Sequence, residues 1–388
     1  MVLVGTYPPR HCGIATFTAH LRQGLQAAGK DPVGVVAVVR KAADASRRPE
    51  VIGCIDQDRA EAYATAAEDL NRAAPEVVIL QHEYGIFGGE DGRYVLGLLT
   101  SLRPPVITTL HTVRAYPTPG QRAVLHEIAS RSAAVVVIAR RAVALLRDVY
   151  GVNQHKVVFI PHGVPELNHQ SSGRSKQELG LDGKVVAMTF GLLGPGKGIE
   201  RVLEAMAAVK DEPGLVYLVV GATHPEERRS HGETYRHKLA AWTERLGLAG
   251  KVRFVDQYLT DAELFRYLSA CDIYITPYPG REQISSGTLT YAAYMGKAIL
   301  STPYAYAEEL LGGGAGLLVP YDDASGWAAA LATLVRQPGL RRKLAAAAQA
   351  RTAGFGWRQI GSRYARLAEV VSARNREARG EVPASVGR

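Results

Sequence analysis

Short hydrophobic runs rich in β-branched residues alternate along the chain with longer stretches rich in alanine and leucine. This alternation is typical of βα units, in which helices cover the faces of a parallel sheet. Six runs occupy the first half, at residues 2–7, 33–39, 77–82, 105–111, 134–139 and 156–161. Six more occupy the second half, at residues 184–193, 215–222, 251–256, 272–278, 297–303 and 316–320. The pattern predicts an α/β protein with two doubly wound parallel-sheet, Rossmann-like domains that face each other across a cleft.

A polar, flexible segment at residues 170–176 separates the two series of runs and is predicted to be a linker. We therefore expect an N-terminal domain over residues 1–168 and a C-terminal domain over residues 176–356. The last residues, 375–388, are basic and are expected to form a solvated tail.

Composition limits the class of protein. The chain has 388 residues, of which 47% are hydrophobic and 21% are charged, as expected for two globular domains. No apolar run approaches the roughly 18–20 residues that a membrane-spanning helix needs. The chain begins without a basic leader, and its three cysteines, Cys12, Cys54 and Cys271, are far apart. We therefore expect a cytoplasmic protein without disulfide bonds.

Charge narrows the choice of partner. Lysine and arginine number 46 against 37 acidic residues, which gives a net charge of +9 and suggests nucleic acid, an anionic membrane surface or phosphate-bearing substrates. Nucleic acid is disfavoured because the basic residues are scattered and form no known nucleic-acid-binding motif. The segment 140–147 is basic and apolar by turns, which suits peripheral membrane contact, although a helix covering the first sheet explains it equally well.

Ligands of doubly wound sheets bind beyond the carboxyl ends of the strands. No G-x-G-x-x-G follows the first strand and no G-x-x-x-x-G-K-[ST] occurs, which argues against a nicotinamide dehydrogenase and a P-loop ATPase. The first strand is followed by two prolines and then by Gly13 at a helix start. A glycine there lets a ligand approach backbone amides closely, although a tight turn alone would also explain it.

Two loops of the second half are suited to a sugar phosphate. Residues 192–199 form a glycine-rich loop in which Lys197 can place a positive charge on a phosphate, just before a helix predicted at 200–210. In segment 279–296, a helix is predicted to begin after Ser285 or Ser286 as N-cap and to end at Gly296, so its first amides favour an anion. Glu282 precedes that helix and can accept hydrogen bonds from sugar hydroxyls. Helix capping alone would explain the serines, but the lysine loop in the same half favours binding.

Three histidines, His82, His111 and His162, follow strands of the first half. Each alone could be structural, but together they predict a polar wall that recognises hydroxyl groups. No Ser-His-Asp order, H-E-x-x-H or Cys-x-x-Cys is present, so covalent hydrolysis and zinc chemistry have no support and no metal site is expected.

Taken together, these motifs resemble the retaining glycosyltransferases of the GT-B fold, close to family 4 (glycosyl transferases group 1). The resemblance covers nearly the whole chain and rests on Gly13, His111, 160–164, 191–198 and 282–292. A terminal helix at about 357–374, which contains Trp357 and Tyr364, resembles the helix that returns to the N-terminal domain in that fold.

The resemblance implies that Lys197 neutralises the leaving diphosphate, that Glu282 holds the donor sugar's hydroxyls, and that His111 contacts the donor hexose. It implies further donor contacts from Gly13, Gln283, Ile284, Ser285, Ser286, Gly287 and Thr288, with Thr290, Arg281 and Arg253 as additional candidates. Acceptor contacts are expected from Arg10, His11, His82, Glu83, Tyr84 and His162. In this family the acceptor is thought to attack on the face of the leaving group, whose phosphate oxygen takes the proton. Neither a metal nor a cofactor is then expected, and the nucleotide sugar is a co-substrate.

Two positions depart from the family pattern. The second glutamate, eight residues after Glu282, is replaced by Thr290, and an arginine before the lysine is replaced by Leu192. Both changes remove contacts to the nucleotide side of the donor.

The leading hypothesis is therefore a retaining transferase that moves a hexose, mannose or glucose, from a nucleoside diphosphate sugar to a hydroxyl of a sugar, lipid or small molecule. GDP-mannose is the first choice of donor by family habit. The alternative is a GT-B phosphorylase that uses inorganic phosphate and a sugar 1-phosphate, because the two departures spare the phosphate and sugar contacts. A third hypothesis is a non-catalytic protein that binds sugar or nucleic acid.

Overall fold

The computed structural model describes residues 1–41, 44, 47–166 and 170–380. The chain forms two compact units, each built on its own sheet. Met1–Gly163 and the segment from Gly356 onward make the N-terminal unit, and Val164–Phe355 make the C-terminal unit.

The N-terminal unit is a seven-stranded sheet in which all neighbouring strands are parallel. Its strands are β1 (Val2–Gly5), β2 (Gly34–Val39), β3 (Val51–Asp56), β4 (Val78–His82), β5 (Val106–Leu110), β6 (Ala134–Val137) and β7 (Val157–Phe159). Its first helices are α1 (Gly13–Ala27), α2 (Ala60–Ala73), α3 (Val95–Ser101), α4 (Pro119–Arg131) and α5 (Arg141–Asp148). The order β3-β2-β1-β4-β5-β6-β7 reverses direction between β1 and β4, so the loops after these two strands open a crevice for a ligand.

The C-terminal unit has a six-stranded parallel sheet in the order β10-β9-β8-β11-β12-β13. The strands are β8 (Val185–Phe190), β9 (Leu215–Val220), β10 (Val252–Val255), β11 (Ile273–Thr276), β12 (Ala298–Ser301) and β13 (Leu317–Leu318). The helices are α6 (Ser172–Glu178), α7 (Ile199–Ala208), α8 (Pro225–His231), α9 (Thr234–Arg245), α10 (Asp261–Ala270), α11 (Gly287–Tyr294), α12 (Ala305–Leu311), α13 (Ala324–Arg336) and α14 (Pro338–Arg351). Here the order reverses between β8 and β11.

The two doubly wound parallel-sheet units confirm the predicted fold class. The prediction of six strands in the first half was wrong. The seventh strand is β3, which lies at the edge of the sheet and pairs only with β2. Its residues alternate between exposed and covered, and Gly53 interrupts it, so it lacks the continuous hydrophobic run that marks a central strand.

The segment predicted to be a flexible linker at 170–176 is largely helical. Helix α6 begins there, with the Ser171 hydroxyl accepting a hydrogen bond from the Arg174 amide at 3.4 Å and with Ser175 fully buried. The predicted domain boundary at residue 168 lies outside the described residues. At the observed division, the Val164 amide donates to the Phe355 carbonyl at 2.8 Å, so the chain enters and leaves the C-terminal unit side by side.

The last helix, α15 (Trp357–Ala378), packs in the N-terminal unit against α1. It places Trp357 and Tyr364 in the core beside Phe17, and the Tyr364 hydroxyl bonds with Thr109 Oγ1 at 2.9 Å. The helix extends past residue 375, so the predicted tail at 375–388 starts too early, and residues 381–388 lie outside the described part of the chain.

The basic segment at 140–147 forms α5, whose Ala142 and Leu146 are fully buried. One face of this helix is therefore covered by protein. Across the described ranges, no helix combines the length and the apolar character that crossing a bilayer requires.

Two glycines allow α1 and α15 to cross closely. A methyl group on Gly24 would overlap the carbonyl of Trp357, and one on Gly361 would overlap the backbone of Gly24. Backbone cannot move aside as a flexible side chain can, so the contact requires glycine on both helices.

We predict that Gly361→Ala lowers the free energy of unfolding by about 1–3 kcal/mol, the usual cost of overpacking. Gly97→Ala in α3 is the matched control, because a methyl group at this position makes only ordinary contact with Tyr63. This substitution also replaces a glycine in the interior of a helix, as Gly361→Ala does. Urea unfolding of both variants measures the difference, and equal stabilities would contradict the close helix crossing.

Candidate functional site

The loops after β8 and β11 lie at the point where the C-terminal sheet reverses its order. After β8, a 3-10 turn (Pro195–Lys197) leads into α7, which begins one residue earlier than the predicted helix start at 200. Gly198 joins them with φ of 63°, and a side chain there would overlap the carbonyl of Pro277. The position therefore requires glycine, which fixes Lys197 against the segment that follows β11.

The Lys197 ammonium contacts a buried tyrosine. Its Nζ donates to the Tyr278 hydroxyl at 2.9 Å and lies 4.4 Å from the centroid of the same ring. Tyr278 itself is 1% exposed. The cation is therefore held at the carboxyl end of β8 rather than extended into solvent.

Helix α11 begins as the sequence predicted, with Ser286 as N-cap, and Gly296 follows its end with φ of 61°. The Ser286 hydroxyl accepts from the Leu289 amide at 3.2 Å, and it lies 3.2 Å from Thr288 Oγ1. Thr288 Oγ1 is also 2.8 Å from the Tyr278 hydroxyl. The first-turn amides of a helix have no intrahelical acceptor and are electropositive, so this start favours an anion.

These parts converge around Gly191, the residue that follows β8. A methyl group on Gly191 would lie 3.3 Å from Thr288 Cγ2 and 3.4 Å from Lys197 Nζ, and its φ is 128°. We call Gly191, Lys197, Tyr278, Ser286 and Thr288 the cationic cradle. Its ammonium, the Ser286 and Thr288 hydroxyls and the helix N-terminus lie at one edge of the sheet and are a set of donors suited to a phosphate. The buried Tyr278 hydroxyl lies between the lysine and Thr288.

The loop before α11 is anchored to α12. The Ala305 amide donates to the Arg281 carbonyl and the Tyr306 amide to the Gln283 carbonyl, both at 3.0 Å. Glu282 lies between these two anchors and its side chain is exposed. An exposed carboxylate on a fixed backbone is placed to accept hydrogen bonds from a ligand's hydroxyls.

The same loop holds the other predicted donor residues. Gln283 Nε2 donates to the Ser285 carbonyl at 2.9 Å, which stiffens the approach to the helix. Ile284 is buried, so it can offer its backbone but not its side chain, and Gly287 is the first residue of α11.

Three predicted donor contacts are not part of the cradle. Thr290 is fully buried, and its Oγ1 lies 2.9 Å from the Ser286 carbonyl and 2.7 Å from the Tyr306 hydroxyl. Arg253 donates to the Gly180 carbonyl at 3.4 Å, at the edge of the sheet where β8 begins. The Arg281 guanidinium lies 4.5 Å from the centroid of the Tyr321 ring. The Thr290 hydroxyl is therefore enclosed by packing, and the Arg253 guanidinium lies away from the carboxyl edge of the sheet.

In the N-terminal unit, the start of α1 follows β1. Cys12 is its N-cap, with Sγ accepting from the Ala15 amide at 3.3 Å. The Arg10 guanidinium donates to Gln57 Oε1 at 3.0 Å, and His11 is exposed. A methyl group on Gly13 would meet nothing within 4 Å. Packing therefore does not require glycine at this position.

The end of β4 carries the predicted acceptor residues. Glu83 accepts from Thr112 Oγ1 at 2.5 Å and from the Tyr84 amide at 3.0 Å. Burial raises the pKa of Glu83 above its ordinary value, although these two hydrogen bonds oppose the shift. The Tyr84 hydroxyl donates to the Gln121 carbonyl at 3.3 Å. The two hydrogen bonds that Glu83 accepts thus fix the orientation of its carboxyl group.

The three predicted histidines are neutral at pH 7. Burial lowers the pKa of His82 to about 3 and that of His111 to about 3. Burial also lowers the pKa of His162 to about 4, although a hydrogen bond to the Gly163 carbonyl at 2.7 Å opposes it. A neutral imidazole can exchange hydrogen bonds with hydroxyl groups but offers no charge to a phosphate.

The histidines differ in their partners. His111 Nε2 lies 2.9 Å from Gln81 Oε1, a partner that sequence reasoning missed. His82 is fully buried and neither ring nitrogen has a hydrogen-bond partner. His162 packs against Phe17 and Trp357, with ring centroids 5.1 and 5.9 Å away. Among the described residues, no group of three or more potential metal-binding side chains converges.

Two family models match the chain. Residues 12–166 match the model described as Glycosyltransferase Family 4, and residues 184–337 match the model described as Glycosyl transferases group 1. The first match lies almost entirely in the N-terminal unit and the second lies within the C-terminal unit.

Curated relatives include two kinds of enzyme. D-inositol 3-phosphate glycosyltransferase of Corynebacterium glutamicum is 29% identical over 281 residues, which are 66% of this chain and 64% of that one. Phosphatidyl-myo-inositol mannosyltransferase of Mycolicibacterium smegmatis is 32% identical over 181 residues, which are 46% of this chain and 43% of that one. The chain thus spans less than two thirds of the length of these relatives.

Solved structures resemble the chain over almost its whole length. Sucrose-phosphate synthase from Thermosynechococcus elongatus has a TM-score of 0.78 at 18% identity and covers 96% of this chain and 99% of its own. HepE of Anabaena, in complex with UDP and glucose, has a TM-score of 0.75 at 17% identity and covers 95% of this chain and 99% of its own. At these identities the likeness concerns the fold, which is GT-B with a parallel α/β sheet in each unit.

Because the three histidines are buried and neutral, we expect the free energy of unfolding of the protein to depend on pH. An unfolded histidine binds a proton near pH 6.5, whereas folded His82 does so only near pH 3, so the unfolded chain holds the extra proton between these values. The free energy of unfolding therefore falls as the pH drops below about 6.5, by about 1.4 kcal/mol per pH unit for each such histidine.

We predict that His82→Phe makes the loss of stability between pH 6 and pH 5 shallower by about that amount. The exposed His155 supplies the control variant, His155→Ala, which should leave the slope unchanged. Urea unfolding as a function of pH measures both, and a wild-type slope in His82→Phe would refute the buried neutral imidazole.

Proposed function

Because the chain belongs to the glycosyltransferases of group 1 and family 4, we propose that it transfers a hexose from a nucleoside diphosphate sugar to a hydroxyl acceptor with retention of configuration. The observation that carries this proposal is the cationic cradle. Lys197, the hydroxyls of Ser286 and Thr288, and the start of α11 present positive charge and donors at the switch point of the C-terminal sheet.

The cradle is proposed to hold the diphosphate of the donor. Lys197 places its charge where negative charge grows as the bond between the anomeric carbon and the phosphate oxygen breaks. The exposed carboxylate of Glu282 accepts hydrogen bonds from hydroxyls of the hexose. In the N-terminal unit, neutral His111 is proposed as a further contact to the hexose.

The proposed chemistry needs no protein nucleophile. The acceptor oxygen bonds to the anomeric carbon on the face from which the nucleoside diphosphate departs, and the departing phosphate oxygen takes the acceptor's proton. The protein contributes positioning and stabilisation of the leaving group. We propose that neither a metal ion nor a cofactor takes part.

For the donor we propose GDP-mannose first, and for the acceptor a hydroxyl of a sugar, a lipid or a small molecule. The relatives' names support this choice, since one is an inositol 3-phosphate glycosyltransferase and another a phosphatidyl-myo-inositol mannosyltransferase. Arg10, His11, Glu83 and Tyr84 of the N-terminal unit are the proposed acceptor contacts.

A GT-B phosphorylase is the second candidate, and the burial of Thr290 favours it. That position offers no group to a nucleotide ribose, whereas the cradle retains its phosphate donors.

Isothermal titration with GDP, UDP and ADP, followed by product analysis with the matching nucleotide sugars, tests the function. We expect one nucleoside diphosphate to bind and its sugar to be transferred with retention, at a rate that a chelator leaves unchanged. Binding of none would contradict the nucleotide donor, and release of sugar 1-phosphate that depends on inorganic phosphate would establish the phosphorylase.

We predict that Lys197→Ala lowers turnover by about 10²–10³-fold, the usual cost of removing one preorganised charge-stabilising group. Glu282→Ala should lower turnover by a similar factor, because the hexose loses a contact that positions it. Lys184→Ala is the matched control for the lysine, because exposed Lys184 precedes the strand that Lys197 follows. Steady-state kinetics with melting curves separate turnover from folding. A wild-type rate in either variant would remove that residue from the mechanism.

We also predict that Gly13→Ala leaves the free energy of unfolding unchanged or slightly higher but lowers kcat/KM by at least tenfold, because the added methyl group enters open space at the helix start. Gly339→Ala, in the first turn of α14, adds a methyl group to open space elsewhere and should leave kcat/KM unchanged. Equal activity of both variants would show that no ligand approaches Gly13.

A further inference from the structure

Tyr278 links the two halves of the cationic cradle. Its hydroxyl lies 2.9 Å from Lys197 Nζ, which follows β8, and 2.8 Å from Thr288 Oγ1, in the first turn of α11. It is 1% exposed and stacks on Tyr304 with ring centroids 5.3 Å apart. A buried, stacked ring therefore connects the Lys197 ammonium to the start of α11.

The hydrogen bonds around Tyr278 form a chain that begins at Lys197, the one member that can only donate. An ammonium can only donate, so the Tyr278 oxygen accepts from Lys197 and its proton is free for Thr288 Oγ1. The Thr288 hydroxyl lies 3.2 Å from Ser286 Oγ, which accepts from the Leu289 amide and caps α11. The chain runs from the lysine to the helix cap, and each link polarises the next.

The pKa of Tyr278 supports its contact with Lys197. Burial, the first of several causes, raises the pKa of the neighbouring Tyr304 well above its ordinary value. Burial also acts to raise the pKa of Tyr278, but the charge of Lys197 and the hydrogen bonds of Lys197 and Thr288 outweigh it, so this pKa lies below its usual value. The Tyr278–Lys197 bond is therefore charge-assisted and stronger than a bond between neutral groups.

We propose that Tyr278 is a positioning residue that holds the Lys197 ammonium and the Thr288 hydroxyl at a fixed spacing before any ligand arrives. Lysine is a flexible side chain whose ordering normally costs conformational entropy at the moment of binding. The tyrosine removes that cost in advance. The ligand of this prearranged pair, a diphosphate, rests on the function proposed above.

The isosteric variant Tyr278→Phe keeps the ring and removes only the hydroxyl. Its matched control is Tyr217→Phe in β9. Tyr217 is fully buried in the same unit, and its hydroxyl donates to Thr189 Oγ1 at 2.8 Å. Both variants lose one buried hydroxyl and its hydrogen bonding, so any change confined to Tyr278→Phe reports on the contacts of Tyr278 with Lys197 and Thr288 rather than on packing.

The first measurement needs no donor. Lysine labelling by an amine-reactive reagent, followed by mass spectrometry across a range of pH, gives the reaction rate of Lys197. We expect Lys197 of the wild type to label at least about tenfold more slowly than exposed Lys184, and Tyr278→Phe to remove most of that protection. Equal rates for Lys197 and Lys184 in the wild type, or unchanged Lys197 labelling in Tyr278→Phe, would overturn the proposal.

The second measurement compares the nucleoside diphosphate that binds with its monophosphate. We expect Tyr278→Phe to weaken the diphosphate about tenfold and the monophosphate less than twofold, with Tyr217→Phe unchanged for both. If Tyr278→Phe weakened the binding of the diphosphate and of the monophosphate equally, that result would contradict a contact between the prearranged pair and the terminal phosphate of the diphosphate. Failure of the wild type to bind any nucleotide would overturn the proposed function and the diphosphate as ligand, while the labelling rates still decide whether Tyr278 holds Lys197.

Discussion

The direction of the parallel strands is the constraint on which both parts of the candidate site depend. Parallel strands all end at the same edge, and the reversal of strand order between β1 and β4, and again between β8 and β11, separates neighbouring loops enough to admit a ligand. The Lys197 loop and the start of α11 are far apart in sequence but share that edge. Tyr278 then fixes their spacing with a single oxygen atom.

Much of the fold could be predicted from the sequence because central parallel strands are buried on both faces and appear as continuous hydrophobic runs. The elements that were missed lack this signature. Strand β3 is covered on one side only, and α6 consists of polar residues, with Ser171 as its N-cap. Local composition describes such segments poorly, because their conformation is decided by the neighbours against which they fold.

Residues of the candidate site could be predicted where a suitable side chain coincides with a backbone signal, such as a glycine or a capping serine at the end of a strand. Lys197 and Ser286 follow from glycines and capping serines at strand ends, and the structure brings Lys197 and Thr288 to one edge. Thr290 and Arg253 could not be judged from the sequence, because only packing shows that one hydroxyl is buried and that one guanidinium lies at the opposite edge. Tyr278 was missed because a tyrosine at the end of a strand is indistinguishable from a core residue until its hydroxyl is located.

The position of α15 has a consequence for how the polypeptide is made. Its side chains complete the core between α1 and the N-terminal sheet, yet it emerges from the ribosome only after all of the C-terminal unit. The nascent N-terminal unit therefore exposes the apolar surface of Phe17, Leu21 and Leu25 until α15 has been made. Completion of the N-terminal unit thus waits for α15, and a chain interrupted before Trp357 leaves that unit without part of its core.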